Sequence, residues 1–459
     1  MNKIPVIAIF DVGKTNKKLY LFDEEYNIVF EKTARFIETI DEDGDVCENI
    51  ESLRLSIYDS LKEVILHTEF DIKAVNFSAY GASFVFVDNN GNPLTPLYNY
   101  LKKYPANLQN EFYEKYGGET VFAHQTASPV LGSLNSGMQL YRIKKENPAV
   151  FEKIKYALHL PQYLSYILTG KMTSDITSIG CHTNLWNFPE NSYHQWLKAE
   201  EMEDKLAPIV AGDQAYAATF FNQQFKAGIG LHDSSAALIP YLINFKVPFV
   251  LISTGTWCIS LNPFNKTPLT TSELANDCLC YLSFKGNPVK ASRLFAGNEH
   301  EEQVKRISAF FNQNSSQYRN IDFDYAIIKK LEKNLATEYD YSNLKESVFA
   351  KRNLNDFSTD IEAYHQLMLD IVQQQFISTT LILEGNSTKR IFVDGGFSKN
   401  NIYMNLLAIH FKGIEIFAAS MAQASSVGAA LAIHSSWNRL PVPNDIIELK
   451  YFATDLSTF

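Results

Sequence analysis

A short apolar strand, a tight turn of small polar residues and a second strand occur in that order twice in this chain, at 6–22 and again at 249–261. This repetition constrains the fold more than any other feature. In the first copy residues 6–11 run through a turn at 13–17 into 18–22, with 27–32 as a third strand. In the second, residues 249–253 turn at Thr254-Gly255 into 256–261. Helical spacing follows the first copy at Leu53, Ile57, Leu61, Val64 and Ile65, and 74–77 and 84–87 read as further strands. Residues 108–168 are mainly helical, 286–345 read as polar and helical, and 361–383 as one long helix. A buried strand at 390–393 ends in Asp394-Gly395-Gly396, a helix covers 402–410, and a small-residue helix 422–436 is suited to packing against a nucleotide or a neighbouring strand. Strands alternating with helices give the α/β class, duplicated at low similarity, with domains expected at 1–228 and 229–459.

The length of 459 residues exceeds what one core organises, so two domains agree with the repetition. A formal charge of −10 at pH 7 leaves no footprint for the nucleic-acid backbone or an anionic membrane, and neither is expected as a partner. The first apolar run ends at Asp11, too short for a signal peptide, and the run at 236–252 is broken by Asn244, Lys246 and two prolines. Five scattered cysteines read as reduced thiols of a cytoplasmic protein. Cys278 and Cys280 have no second pair nearby to complete a zinc site.

Four turns could carry chemistry. Asp11-Val12-Gly13-Lys14-Thr15-Asn16-Lys17 places backbone N–H groups, hydroxyl and amide donors and two cations where phosphate oxygens could bind, after an acidic residue able to serve Mg2+. A plain hairpin turn is the alternative. Ser253-Thr254-Gly255-Thr256-Trp257 repeats the arrangement with hydroxyls. Asp394-Gly395-Gly396-Phe397-Ser398-Lys399-Asn400 leads from a strand to a helix, and paired glycines let a flat ring lie on the backbone. Gly230-Leu231-His232-Asp233-Ser234-Ser235 precedes a helix, so Asp233 is either an N-cap or a general base. His300 reads as part of an exposed helix start, and His124, His182 and His194 as ordinary polar histidines. No P-loop or dinucleotide fingerprint occurs.

Taken in order along nearly the whole chain, these turns resemble the FGGY carbohydrate kinases of the actin/sugar-kinase superfamily. The stretch from Leu160-Pro161-Gln162-Tyr163 to Thr169-Gly170, followed by Ser174-Asp175, and the turn Asn90-Gly91-Asn92-Pro93-Leu94 are similar to that family too. His232-Asp233 and Gly255-Thr256-Trp257 look most like the branch acting on L-rhamnulose and L-fuculose. The resemblance implies two ribonuclease-H-like domains with an active-site cleft between them. It implies an ATP- and Mg2+-dependent kinase for a ketose. Asp233 would be the catalytic base, and Asp11 and Asp233 would stand near the metal. Gly13, Lys14, Thr15, Asn16 and Lys17, with Thr254, Gly255 and Thr256, would grip the phosphates. Gly395, Gly396, Ser398 and Asn400 would hold the adenosine. Gly81, Ala82, Ser83 and His232, after Tyr80, would line the sugar site. Tyr98-Asn99-Tyr100-Leu101-Lys102 lacks the carboxylate that the family often has in its substrate loop, which opens a pentulose or polyol as an alternative substrate. A non-catalytic relative and a homodimer remain further readings.

Overall fold

A computed structural model describes residues 3–14, 17–34, 36–332, 340–383, 387–421 and 423–453. The chain divides into two compact units. One holds residues 1–244, 280–288 and 423–446, and the other holds 245–279, 289–422 and 447–459.

In chain order the elements that position functional residues are β1 (Ile4–Val12), β2 (Lys17–Phe22), β3 (Ile28–Ala34), α1 (Ile50–Leu66), β4 (Phe70–Ala79), β5 (Ala215–Phe220), β6 (Gln223–Gly228), β7 (Leu231–His232) and α2 (Asp233–Asn244). There follow β8 (Phe249–Thr254), β9 (Cys258–Asn262), β10 (Pro288–Leu294), α3 (Ala296–Phe311), α4 (Asp360–Leu383), β11 (Arg390–Gly395), α5 (Asn401–His410), β12 (Glu415–Ser420), α6 (Ala424–Ala432) and β13 (Glu448–Phe452).

The first sheet runs β5-β6-β4-β1-β2-β3, with β7 also paired to β4. β1 is parallel to β4 and antiparallel to β2. The second unit has the equivalent path β10-β9-β8-β11-β12-β13, with β8 parallel to β11 and antiparallel to β9. Each is the ribonuclease-H-like arrangement, an antiparallel hairpin and third strand on one side and parallel strands on the other.

The strand sequences explain their places. Val6, Ile7, Ala8 and Ile9 are all fully buried, because β1 is covered on both faces and needs apolar residues at successive positions. Asp11 interrupts that run at the carboxyl end of β1, where parallel strands of open α/β sheets present ligands. α1 begins where Asn49 caps it, its side chain accepting from the Ser52 N–H at 2.9 Å, and buries Leu53, Ile57, Leu61 and Val64.

Three expectations are corrected. The first unit passes residue 228, since β7 adds to its sheet and residues 423–446 return to it. Residues 286–345 open with β10, a ladder strand paired to β9, before any helix. The small-residue helix stops at Ala432; it packs against the neighbouring strands β1 and β4 as expected, and its glycine also lets it close on α2, since a Cβ on Gly428 would stand 1.8 Å from the Ala236 carbonyl oxygen. Asn76 of β4 donates to the Ala429 carbonyl at 2.8 Å and accepts from the Gly230 N–H at 3.1 Å, tying α6 and the start of β7 to one buried amide. No helix among the described residues is long and apolar enough to cross a membrane.

Candidate active site

In the first unit the carboxyl ends of β1, β4 and β7 carry Asp11, the Tyr80-Gly81 turn and His232-Asp233. Asp11 Oδ2 accepts from Ser425 Oγ at 2.8 Å and Ser426 Oγ at 3.1 Å, both in the first turn of α6. Burial raises the Asp11 carboxyl to about 6, and the nearby Asp233 charge pushes the same way against those hydroxyl bonds. Asp233 is the first residue of α2. It accepts from the Ser234 N–H at 2.6 Å and keeps a third of its side chain exposed. Its surroundings also raise it to about 6, desolvation being the main cause. Both carboxyls are raised chiefly by burial, and the charge of Asp233 adds to the rise at Asp11; two such carboxylates form a donor set suited to a divalent ion.

His232 is buried and holds its Nε2 3.3 Å from Asp233 Oδ1. Desolvation lowers its imidazole to about 4, so it is neutral near pH 7. Gly81 faces it closely: a Cβ there would meet His232 Nε2 at 3.0 Å and Cys181 Sγ at 3.2 Å. Ala82 has φ 62°, unusual for a residue with a Cβ, and its carbonyl accepts from Gln139 Nε2 at 2.6 Å. Ser83 Oγ is buried and has no hydrogen-bond partner among the described residues. Gly81, Ala82, Ser83, His232 and Asp233 are thus parts of one unit whose strand ends bear Asp11 as well.

The two lysines at the turn after β1 are held by a buried carboxylate. Lys14 and Lys17 both reach the buried Glu48, at 3.4 and 3.1 Å, and the Lys14 ammonium lies 5.6 Å from the Tyr80 ring centre and 5.7 Å from that of Tyr100. Gly13 follows the end of β1; Thr15 and Asn16 lie outside the described residues. Tyr100, in the loop without a carboxylate, is raised by burial and then by Asp233 and Glu48, and its ring centre is 5.7 Å from that of Tyr80. Lys102 anchors the loop, its ammonium 2.6 Å from Asp41 and 2.7 Å from Asp43.

In the second unit the ends of β8 and β11 meet. Thr254 Oγ1 donates to the Asp394 carbonyl at 2.6 Å and accepts from the Phe397 N–H at 3.0 Å. Gly395, at φ 92°, must be glycine, because a Cβ would stand 2.0 Å from the Thr254 carbonyl oxygen. Gly255 donates to the Trp257 carbonyl at 2.9 Å, and Thr256 accepts from the Asn298 N–H at 3.1 Å. Ser398 Oγ turns back to the Gly395 carbonyl at 2.8 Å. Asn400 caps α5 through the Tyr403 N–H and donates to Tyr364 Oη at 2.8 Å. Beside these residues is a cavity of about 500 Å³ bordered by Thr254, Gly255, Gly396 and Asn400 together with His300 and Tyr364. A Cβ on Gly396 would meet nothing within 4 Å, so backbone is offered bare to whatever lies there. Flat rings, amides and uncovered glycine backbone suit a nucleoside.

Residues 6–239 match the N-terminal domain of the FGGY family of carbohydrate kinases, and 246–440 match the C-terminal domain of carbohydrate kinase FGGY. The chain belongs to the FGGY family. A rhamnulokinase of Halalkalibacterium halodurans is 26% identical over 37% of this chain and 36% of its own length, so the match spans about a third of that relative. The crystal structure of a carbohydrate kinase from Novosphingobium aromaticivorans superimposes with a TM-score of 0.78 at 22% identity, covering 98% of each chain. Plasmodium falciparum glycerol kinase with ADP gives 0.77 at 17% identity, over 95% of this chain and 90% of that one. At these identities the two structures establish the fold.

Several site residues of this FGGY chain were not visible as such in its sequence. His300 lines the cavity from α3 instead of forming an exposed helix start, its Nε2 3.0 Å from Tyr364 Oη, and burial lowers it to about 4. Gly297 lets α3 close on the turn after β8, since a Cβ would stand 1.8 Å from the Gly255 carbonyl oxygen. Arg319 and Asn320 reach the same cavity from the segment whose role the sequence left blank. Glu48, Cys181, Ser425 and Ser426 carry no local motif; the serine pair at the head of a small-residue helix was the one available signal.

Proposed function

We propose that the chain transfers the γ-phosphoryl group of ATP to a hydroxyl of a ketose, with a deoxy-ketohexose such as L-rhamnulose or L-fuculose as the substrate and a sugar 1-phosphate as the product. The observation that carries this reading is the pairing of Asp233 and Asp11 at strand ends beside the neutral His232. Asp233, part-exposed and raised to about 6, is ionised at neutral pH yet basic enough to take a hydroxyl proton. As the sugar oxygen forms its bond to the γ-phosphorus, the bond to the bridging oxygen breaks, ADP leaves with the electron pair, and the hydroxyl proton passes to Asp233.

Mg2+, when bound, supplies charge neutralisation for the phosphates; Asp11 and Asp233 are the residues that would hold it. Asp11 is kept in place for this by Ser425 and Ser426. Phosphoryl transfer asks for positioning and electrostatic support above covalent help. His232, Gly81 and Ser83 supply hydrogen-bonding groups and room for the sugar. The cavity edged by Gly396, Asn400 and Tyr364 receives the adenosine, and Thr254 to Thr256 the phosphates. The rhamnulokinase relative supports the choice of sugar.

The test is ADP release from Mg·ATP across a panel of ketoses, pentuloses and polyols. L-rhamnulose or L-fuculose should give the highest kcat/KM, with loss of turnover in Asp233→Asn and unchanged ATP binding. Faster turnover of a pentulose or a polyol would reassign the sugar. ADP release that is independent of every sugar, or normal in Asp233→Asn, would overturn the mechanism.

A further inference from the structure

One cluster in the first unit has no part in that mechanism as a whole. Cys181, His182 and His232 offer a sulfur and two ring nitrogens that lie within 4.8 Å of one another, all three residues being buried. They come from two places in the chain: Cys181 and His182 follow the short helix Ile176–Ile179, and His232 ends β7.

The hydrogen bonds around the rings decide which nitrogens face inward. His182 has Nδ1 at 3.1 Å from the Leu134 carbonyl oxygen, which can only accept, so Nδ1 carries the proton and Nε2 carries a lone pair. Ser235 Oγ donates to the Leu282 carbonyl at 3.2 Å, so toward His232 Nδ1, at 3.3 Å, it accepts. His232 Nδ1 is then also protonated, and its Nε2 is the lone-pair nitrogen. Imidazoles oriented through an N–H to a carbonyl or hydroxyl oxygen are what metal ligands require behind them. The Asn135 side chain further fixes the backbone by donating to the His182 carbonyl at 2.8 Å.

A second observation points to a cation. His232 Nε2 faces Asp233 Oδ1 at 3.3 Å, a lone pair against a carboxylate oxygen. A carboxylate oxygen beside that ring nitrogen adds an anionic donor to the set. Gly81 leaves the space: a Cβ there would lie 3.0 Å from that Nε2 and 3.2 Å from Cys181 Sγ.

We propose that Cys181, His182 and His232, with Asp233 as fourth ligand, form a site for a thiophilic divalent cation of the Zn2+ class, and that a cation bound there excludes the sugar. The set is one thiolate, two neutral imidazoles and one carboxylate, so its two negative charges cancel those of the ion in a buried place. A tetrahedral centre with Zn–N near 2.0–2.1 Å and Zn–S near 2.3 Å needs ligand atoms roughly 3.3–3.8 Å apart. The sulfur and the two ring nitrogens lie within 4.8 Å of one another and Asp233 Oδ1 stands 3.3 Å from His232 Nε2, so the four residues must draw closer as the ion binds. The Cys181 thiol gives its proton to solvent as the metal binds. The exclusion rests on the kinase reading, since it takes His232 and Asp233 as sugar-site residues; metal binding itself does not.

The experiment titrates the chelator-stripped, reduced full chain with Co2+ and then Zn2+. One Co2+ per chain should produce a thiolate-to-cobalt charge-transfer band and the strong visible bands of a tetrahedral ion, and Zn2+ should displace it. Cys181→Ser should lose the charge-transfer band, and His182→Gln should bind at least about tenfold more weakly, each with an unchanged circular dichroism spectrum. No charge-transfer band in the native chain, or the same band in Cys181→Ser, overturns the site. With the sugar found by the ADP screen, Zn2+ should raise KM for sugar and leave kcat unchanged, and Cys181→Ser should need at least about tenfold more Zn2+ for the same effect. Inhibition that excess sugar does not relieve overturns the exclusion. Cobalt bands in a chain that phosphorylates no sugar would leave the site standing and remove the kinase reading, so the two failures are distinct.

Discussion

The two units place the same pair of residue types at equivalent points of their sheets and exchange them. In the first, Asp11 on β1 is in register with Ser78 on β4; in the second, Ser253 on β8 is in register with Asp394 on β11. The carboxylate has moved from the first strand of the hairpin to its parallel neighbour. The following residues diverge in the same sense. Val12-Gly13-Lys14 becomes Thr254-Gly255-Thr256, and Ala79-Tyr80-Gly81 becomes Gly395-Gly396-Phe397. One fold therefore presents a charged, part-buried carboxylate pair in one unit and an uncharged turn with bare glycine backbone in the other. Acid–base chemistry and metal binding suit the first; a large neutral ring suits the second.

The sharpest way to break this comparison is to remove one carboxylate from each unit. Asp233→Asn should lower kcat by about 10³-fold, within the range usual for a lost general base, and leave ATP affinity unchanged. Asp394→Asn should cost less than about tenfold in kcat/KM, because Asp394 accepts from the Gly395 N–H at 2.7 Å and an amide oxygen can replace that contact. Comparable losses in steady-state kinetics would show that the exchange of positions has no chemical meaning.

Next in size is Asp11→Asn. Its carboxyl is raised from 3.8 to about 6, so the folded state holds the anion at a disadvantage that an amide escapes. The variant should therefore melt higher, by about 2 °C or more in a thermal scan, while kcat falls about 10²-fold and half-saturation with Mg2+ moves upward. A lower melting temperature together with an unchanged Mg2+ requirement would mean that Asp11 is a structural anchor for α6.

The glycines of β11 sharpen the second half. Gly395→Ala introduces a Cβ 2.0 Å from a carbonyl oxygen at φ 92°, and should lower the melting temperature by at least about 4 °C. Gly396→Ala meets nothing within 4 Å, so the melting temperature should hold while KM for ATP rises a few-fold. Neighbouring glycines would thus be separated into one required by the fold and one required by the ligand.

How much of this was legible in the sequence depends on whether a role is local. The hairpins, the parallel strands after them and Asp233 at the start of a helix follow from strand periodicity and turn residues a few positions apart. Glu48 does not, because its importance comes from two lysines more than thirty residues earlier that meet it only in the folded sheet. His300 was misread for a similar reason: helix polarity suggested exposure, but Tyr364, 64 residues away, covers it. Residues 423–446 were counted with the second half since they come last, though Ser425 and Ser426 bond Asp11 in the first. The lysines of the first turn were identified as phosphate ligands by type alone, and type alone did not reveal the buried anion that holds them.

A pH profile and a single amide substitution probe that first turn. The Asp233 base must be ionised and its value is raised to about 6, so kcat/KM should be level at neutral pH and fall as pH drops through about 6. A limb near 4 would place the base elsewhere. Glu48→Gln should give the smallest effect. The carboxylate is buried, within 3.4 Å of both ammonium groups, and it contributes to holding the Tyr80 phenol well above its ordinary value. Removing its charge leaves Lys14 and Lys17 without a counter-ion and relieves the phenol at once. If the lysines are phosphate ligands restrained by Glu48, freeing them should lower KM for ATP by about two- to fivefold with kcat held. If their place is structural, the uncompensated ammonium groups should lower the melting temperature with no gain in ATP affinity. KM falls in the first outcome only and the melting temperature falls in the second, so one pair of kinetic and thermal measurements decides whether the charged turn of the first unit matches the uncharged turn of the second in binding phosphate, or has given that task up to keep its own sheet edge in order.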